Sequence, residues 1–162
     1  MAKEKAEIIK PPNNLRDKVS VTGPGVVDEA MLKKGEQVIA DMAGSYLEWM
    51  QEDLAKIQAA YETLATGDGD IKSNMDAVFK VSLDIKGQGG SFNYDLMTAI
   101  GGELCNLIEK LGKEPGRSEI EAVKIHIDAM HLVIQNRMTG NGGAQGKAIL
   151  MGIQKVCDKL LA

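Results

Sequence analysis

Apolar residues recur along most of this chain at alternating intervals of three and four, the repeat that lines one side of an α-helix. Leu47, Met50, Leu54, Ile57, Tyr61 and Leu64 form the first clear stripe. The helix it predicts ends at Thr66-Gly67-Asp68-Gly69-Asp70, where glycines relax the backbone and Asp70 is placed to cap the next helix. That second helix is expected from about Ile71 into the Gly87 to Gly90 region. Asn93 is placed to cap a third, which carries Leu96, Ile100, Leu104, Leu107, Ile108 and Leu111. Gly112 to Gly116, with Pro115 inside, breaks the pattern. Ser118 and Glu121 then have the spacing of a capping box for a fourth helix with Ile120, Val123, Ile127, Met130 and Ile134. A glycine-rich turn from Thr139 to Gly143 precedes a last helix carrying Ile149, Ile153, Val156 and Leu160.

No stretch alternates with period two for long enough to propose a strand, and short turns between amphipathic helices favour antiparallel neighbours. The expected fold is therefore all-α, an up-and-down four-helix bundle with additional helices at one or both ends. Residues 1–27 contain Pro11, Pro12 and Pro24, scattered charge and little periodicity. They are expected to form a mobile arm ahead of a helical domain spanning 28–162.

A chain of 162 residues is sized for one hydrophobic core. With 44% hydrophobic but only 4% aromatic residues, core volume must come mainly from Leu, Ile, Val, Met and Ala. Of the nine methionines, Met42, Met50, Met75, Met97, Met130, Met138 and Met151 fall mostly at core positions. Trp49 sits on the flank of its stripe and is expected to be half-buried, while Glu48, Glu52 and Asp53 read as a solvated face. A net charge of −4 offers no general attraction to nucleic acid or to an anionic membrane. No apolar run approaches the roughly 20 residues of a membrane span. The Lys/Glu-rich start lacks a signal-peptide core, so a cytoplasmic location is expected. Cys105 and Cys157 lie far apart within apolar stretches and read as buried small hydrophobes, so neither metal nor cofactor is expected.

The most informative segment is Ser82-Leu83-Asp84-Ile85-Lys86-Gly87-Gln88-Gly89-Gly90. On a helix, Met75, Val78, Ser82 and Ile85 share one side, and Leu83 points a quarter-turn or more away from it. Leu83 should be exposed. Phe79 lies one turn before it, Lys86 and Gly87 one turn after, and Gly90 two turns on, so these residues neighbour it on the surface.

This run resembles the signature of histidine phosphotransfer (HPt) domains, a phosphorylatable His followed by any residue, an aliphatic residue, Lys and Gly. Here Leu83 stands where that His belongs. The longer run Lys86 to Phe92 is similar to a variant associated with bacterial two-component signalling, and the resemblance covers about residues 41–112. It implies that Lys86 would stabilise a phosphoryl group by its charge, and that Gly87 and Gly90 would leave room for a partner's active-site loop. The implied partner is a response-regulator receiver domain or a histidine kinase. An isobutyl group has no lone pair with which to attack an acyl phosphate, so position 83 cannot relay phosphate. The implied function is that of a non-enzymatic HPt-like protein that binds a receiver or kinase and modulates phosphate flow by occupancy. Leu83 would add apolar contact there, worth about 1.5–3 kcal/mol for a fully buried leucine.

Other readings remain open at this point. Engineering could have replaced the His at position 83, the true acceptor could be His126 or His131, or the chain could be a structural helical module. The two histidines fall on opposite flanks of their helix, too far around to share a metal, and read as boundary residues satisfied by water or a carboxylate. The tract Gly140 to Ala148 invites comparison with a phosphate-binding loop. It fails because Asn141 replaces the first glycine, Ala148 replaces the hydroxyl residue, and no strand precedes it. It reads instead as a turn in which Gly146 allows close helix approach.

Overall fold

In the computed structural model, which describes residues 28–112 and 114–160, the three-four stripes become five α-helices. These are α1 (Glu29–Thr66), α2 (Ile71–Gly89), α3 (Asp95–Lys110), α4 (Arg117–Gln135) and α5 (Gly143–Leu160), with a 3-10 turn at Gly90–Phe92 between α2 and α3. Among the described residues there is no strand, and no helix is long and apolar enough to cross a membrane. The expected arm, 1–27, lies outside the described residues. The chain divides into two units, Met1–Gly35 and Glu36–Ala162, and the core described below belongs to the second.

Helix α1 starts far earlier than its first clear stripe. Within it Tyr46, Met50, Leu54, Ile57 and Leu64 are buried, while Leu47 and Tyr61 sit half-buried on the flank. The helix stops where Gly67 and Gly69 adopt φ of +72° and +79°, a conformation that costs glycine nothing. Asp70 then caps α2 as expected, its carboxylate accepting from the Ser73 amide at 2.9 Å. Helix α2 buries Met75, Val78, Ser82 and Ile85, and Ser82 satisfies its hydroxyl by donating to the Val78 carbonyl at 2.8 Å.

Helix α3 is the most enclosed, with Leu96, Met97, Ile100, Leu104, Leu107 and Ile108 all buried. It packs most extensively on α2 and also meets α4 and α5, while α4 meets α5. Each of its large side chains contributes roughly 1.5–3 kcal/mol by leaving water.

Two expected helix starts are corrected. Asn93 does not cap α3, because it takes the left-handed conformation (φ 61°, ψ 37°) that ends the 3-10 turn. One early amide of α3 is served by a distant segment, for Leu96 donates to the Gly140 carbonyl at 2.9 Å, and Gly140 in turn donates to the Asn93 carbonyl at 2.6 Å. The cap of α4 also lies two residues earlier than the Ser118–Glu121 spacing suggests. The chain is extended at Gly116, whose amide donates to the Glu119 carboxylate, so Ser118 is already inside the helix. Core methionines are Met50, Met75, Met97, Met130 and Met138, whereas Met42 and Met151 are exposed.

Candidate functional site

The outer surface of α2 carries the residues singled out from the sequence. Leu83 is 49% exposed. Phe79 is half-buried against the core, and Lys86, Gly87 and Gly90 are exposed. A methyl group built on Gly87 would meet nothing within 4 Å, and one on Gly90 would make only ordinary contacts, 3.8 Å from Thr98 Oγ1 and 3.9 Å from Asp95 Oδ1. The surface beyond Leu83 is therefore low and unobstructed on the Gly87 side.

Lys86 is positioned by glycines that sequence reasoning missed. The main chains of α2 and α3 approach so closely that a Cβ on Gly101 would lie 3.1 Å from both the Lys86 nitrogen and the Ser82 carbonyl oxygen. Gly102 leaves space for the Lys86 stem, whose Cε would lie 3.8 Å from a Cβ there. Gly89 is tighter still, with Thr98 Oγ1, the Tyr94 carbonyl oxygen and Thr98 N at 2.6, 2.7 and 2.9 Å from a Cβ. The available signal was the Gly101-Gly102 pair inside an otherwise helical stripe. Glycine costs about 1 kcal/mol relative to alanine in a helix interior, so its presence there points to close approach.

Beyond Gly89 the chain is anchored to α1 by aromatic and polar contacts. Tyr46 stacks on Phe92 with ring centroids 4.7 Å apart, tilts against Tyr94 at 5.0 Å, and Trp49 meets Phe92 edge-on at 6.1 Å. Asp53, expected on a solvated face, is instead buried. It takes Lys56 at 2.8 Å and receives the Gln88 amide at 3.3 Å, because α1 turns this residue toward the end of α2. The Tyr46 hydroxyl is buried without a hydrogen-bond partner. Burial, then Tyr94 and Asp53, raise its ionisation above the usual tyrosine range.

The reading of His126 needs correction. His126 is fully buried, where a boundary position was expected. Its Nδ1 lies 2.7 Å from the Ala122 carbonyl and so carries the proton, which leaves Nε2 facing the Cys157 sulfur at 3.9 Å. Burial pushes its pKa down, with the Ala122 carbonyl and Glu103 opposing, and burial pushes the Cys157 thiol up. Both groups are therefore held neutral. A closed-in imidazole with both nitrogens engaged cannot receive a phosphoryl group from another protein. His131 is half-buried, as expected of a boundary position, and lines a concavity with Gln51, Ile134 and Arg137.

The glycine tract after α4 spends most of its glycine amides on itself, and that of Gly140 on the Asn93 carbonyl. Gly140, Gly142 and Gly143 have positive φ, and Gly142, Gly143 and Gly146 donate to the Thr139 carbonyl, the Asn141 side chain and the Gly142 carbonyl. Those amides are not free to cradle a phosphate. A Cβ on Gly146 would meet both the Asn141 carbonyl and Leu96 of α3, so the glycine tightens the turn and also lets α5 come close to α3, as expected.

One further concavity adjoins the Leu83 surface. A groove of about 440 Å³ between α2 and the end of α3 is lined by Lys72, Met75, Asp76, Phe79, Ile108 and Glu109, with Leu111 and Gly112 closing one end. Among the described residues no group of three or more His, Cys, Asp or Glu side chains is arranged to hold a metal ion. No protein-family model matches the chain, and neither does any curated protein or solved structure.

Proposed function

We propose that this chain is an HPt-like signalling protein without a phosphoacceptor, in which α2 to α5 form an up-and-down four-helix bundle and the outer face of α2 docks a receiver or histidine-kinase domain. The observation that carries the reading is an exposed leucine at the position of the signature's histidine, with Lys86 beside it and open space over Gly87. The short connections at 90–94 and 136–142 support antiparallel neighbours within the bundle. Docking by this face would occupy a receiver without discharging it, because Leu83 offers no nucleophile.

Leu83 is already about half covered, so docking can remove only the remaining half of its surface from water. That is worth about 1 kcal/mol rather than the 1.5–3 kcal/mol of a fully exposed leucine, or roughly a five-fold effect on affinity. Titrating the purified chain against purified receiver and kinase dimerisation domains by calorimetry tests the proposal. Saturable binding, weakened about five-fold by Leu83→Ala, is the expected result. Leu83→His should keep the fold and accept phosphate from a cognate phosphorylated receiver: an imidazole nitrogen attacks phosphorus, the acyl phosphate P–O bond breaks, and aspartate leaves as carboxylate. Absence of binding to every such domain, together with no acid-labile phosphate on Leu83→His, overturns the reading.

A further inference from the structure

The groove beside Phe79 has a built chemical preference. Its floor is apolar, formed by Met75, Phe79, Ile108 and Leu111. At about 440 Å³ it falls in the range of roughly 300–1,000 Å³ that accommodates bound groups. Its charged residues come from both walls, Asp76 and Lys72 on α2 and Glu109 on α3. None of the three takes part in an ion pair among the described residues, whose salt bridges are Lys56–Asp53, Arg117–Glu121 and Lys124–Asp128. Among the described lining residues, two carboxylates stand against one ammonium.

The groove is also continuous with the face carrying Leu83, because Phe79 belongs to both. It lines the groove and lies one helical turn before Leu83. A partner covering Leu83 thus reaches the groove without a gap.

We propose that this groove receives an apolar side chain carried next to a lysine or arginine on the partner that docks over Leu83. The apolar group would fill the floor and the cation would sit between Asp76 and Glu109, fixing the partner's orientation on α2. The inference rests on the docking reading for the identity of the partner, but the preference of the groove stands on its own lining. Partially exposed charge pairs are each worth about 0.2–1 kcal/mol, so two together give roughly a five-fold preference.

The test uses the full chain with isotope-labelled methyl groups and two short blocked helical peptides, identical in their leucines and differing only in arginine or glutamate beside them. The arginine peptide should shift the methyl resonances of Met75, Ile108 and Leu111 and bind about five-fold more tightly than the glutamate peptide. Asp76→Lys combined with Glu109→Lys should reverse that order, and Leu132→Ala, at an exposed position on α4, should leave it unchanged. Equal affinities, an order insensitive to the double variant, or shifts confined to another surface each overturn the inference. Receivers separate the two proposals. If a receiver binds and is lost with Gly87→Arg but is unaffected by the double lysine variant, the groove assignment falls and the docking face stands. If the arginine peptide shows its preference while no receiver binds, the groove assignment stands and the docking reading falls.

Discussion

Replacing Gly89 by alanine places a methyl group 2.6 Å from Thr98 Oγ1, 2.7 Å from the Tyr94 carbonyl oxygen and 2.9 Å from Thr98 N. The threonine hydroxyl can rotate away, but the other two atoms are main chain at the start of α3. Relief therefore requires α2 and α3 to separate. Overpacking of this kind costs about 1–3 kcal/mol, and alanine's better helix propensity returns about 0.5–1 kcal/mol near a helix end. The net expectation is a loss of about 1–2 kcal/mol. Two residues earlier the balance inverts, because a methyl group on Gly87 meets nothing within 4 Å and only the propensity gain remains. Gly87→Ala should stabilise by about 0.5–1 kcal/mol. The two variants should thus differ by roughly 1.5–3 kcal/mol, read from urea denaturation followed by far-UV circular dichroism with unchanged m-values. A Gly89→Ala protein as stable as the parent, or a Gly87→Ala protein less stable than Gly89→Ala, would refute the placement of α2 against α3 and with it the position of Lys86.

Gly87→Arg should abolish receiver binding by projecting a long charged side chain over the docking face, with stability changed by about 0.5 kcal/mol or less; binding that survives at parental affinity removes this face from the interface. Tyr46→Phe should match or exceed the parent's stability by up to about 1 kcal/mol in denaturant titrations, since the hydroxyl it removes is buried without a partner, and a loss above that size would mean the hydroxyl is satisfied. His126 supplies a pH dependence. Its folded pKa lies below the ordinary 6.5, so between the two values the unfolded chain binds the extra proton and stability falls on acidification. The loss begins as pH drops through about 6.5, runs at no more than about 1.4 kcal/mol per pH unit, and stops once the folded imidazole protonates. His126→Gln should flatten that part of the stability profile; an unchanged profile would assign the slope elsewhere.

Periodicity alone located the apolar faces of α2 to α5 because core burial and helical phase act on the same residues. Leu96 to Leu111 and Ile120 to Ile134 show this, and the exposure of Leu83 follows from the same geometry. What the pattern could not reveal depends on which helices meet. His126 looked like a flank residue because its burial is decided by Cys157 on α5, not by its own helix. Asp53 looked solvated because its acceptor role is set by Gln88, from α2. Asn93 has a residue type suited to capping, yet the left-handed turn it closes makes it unavailable, and Gly140 supplies the missing carbonyl. At the candidate site, the identities of Leu83, Lys86 and Gly87 were legible, whereas the support from Gly89, Gly101 and Gly102 required knowing where α3 lies.

The paired bonds between Asn93, Gly140 and Leu96 also bear on the order in which the molecule assembles. They join segments separated by roughly 45 residues, a loop whose closure is entropically costly until α4 is in place. The α2–α3 hairpin, by contrast, needs only local contacts. It should form early, and the tie at Gly140 should close late. In hydrogen exchange the amides of Gly140 and Leu96 would then report opening of the C-terminal helices, while amides at the centre of α3 would hold until the whole core is lost. A docked partner on α2 would rest on the part of the molecule that forms first and opens last.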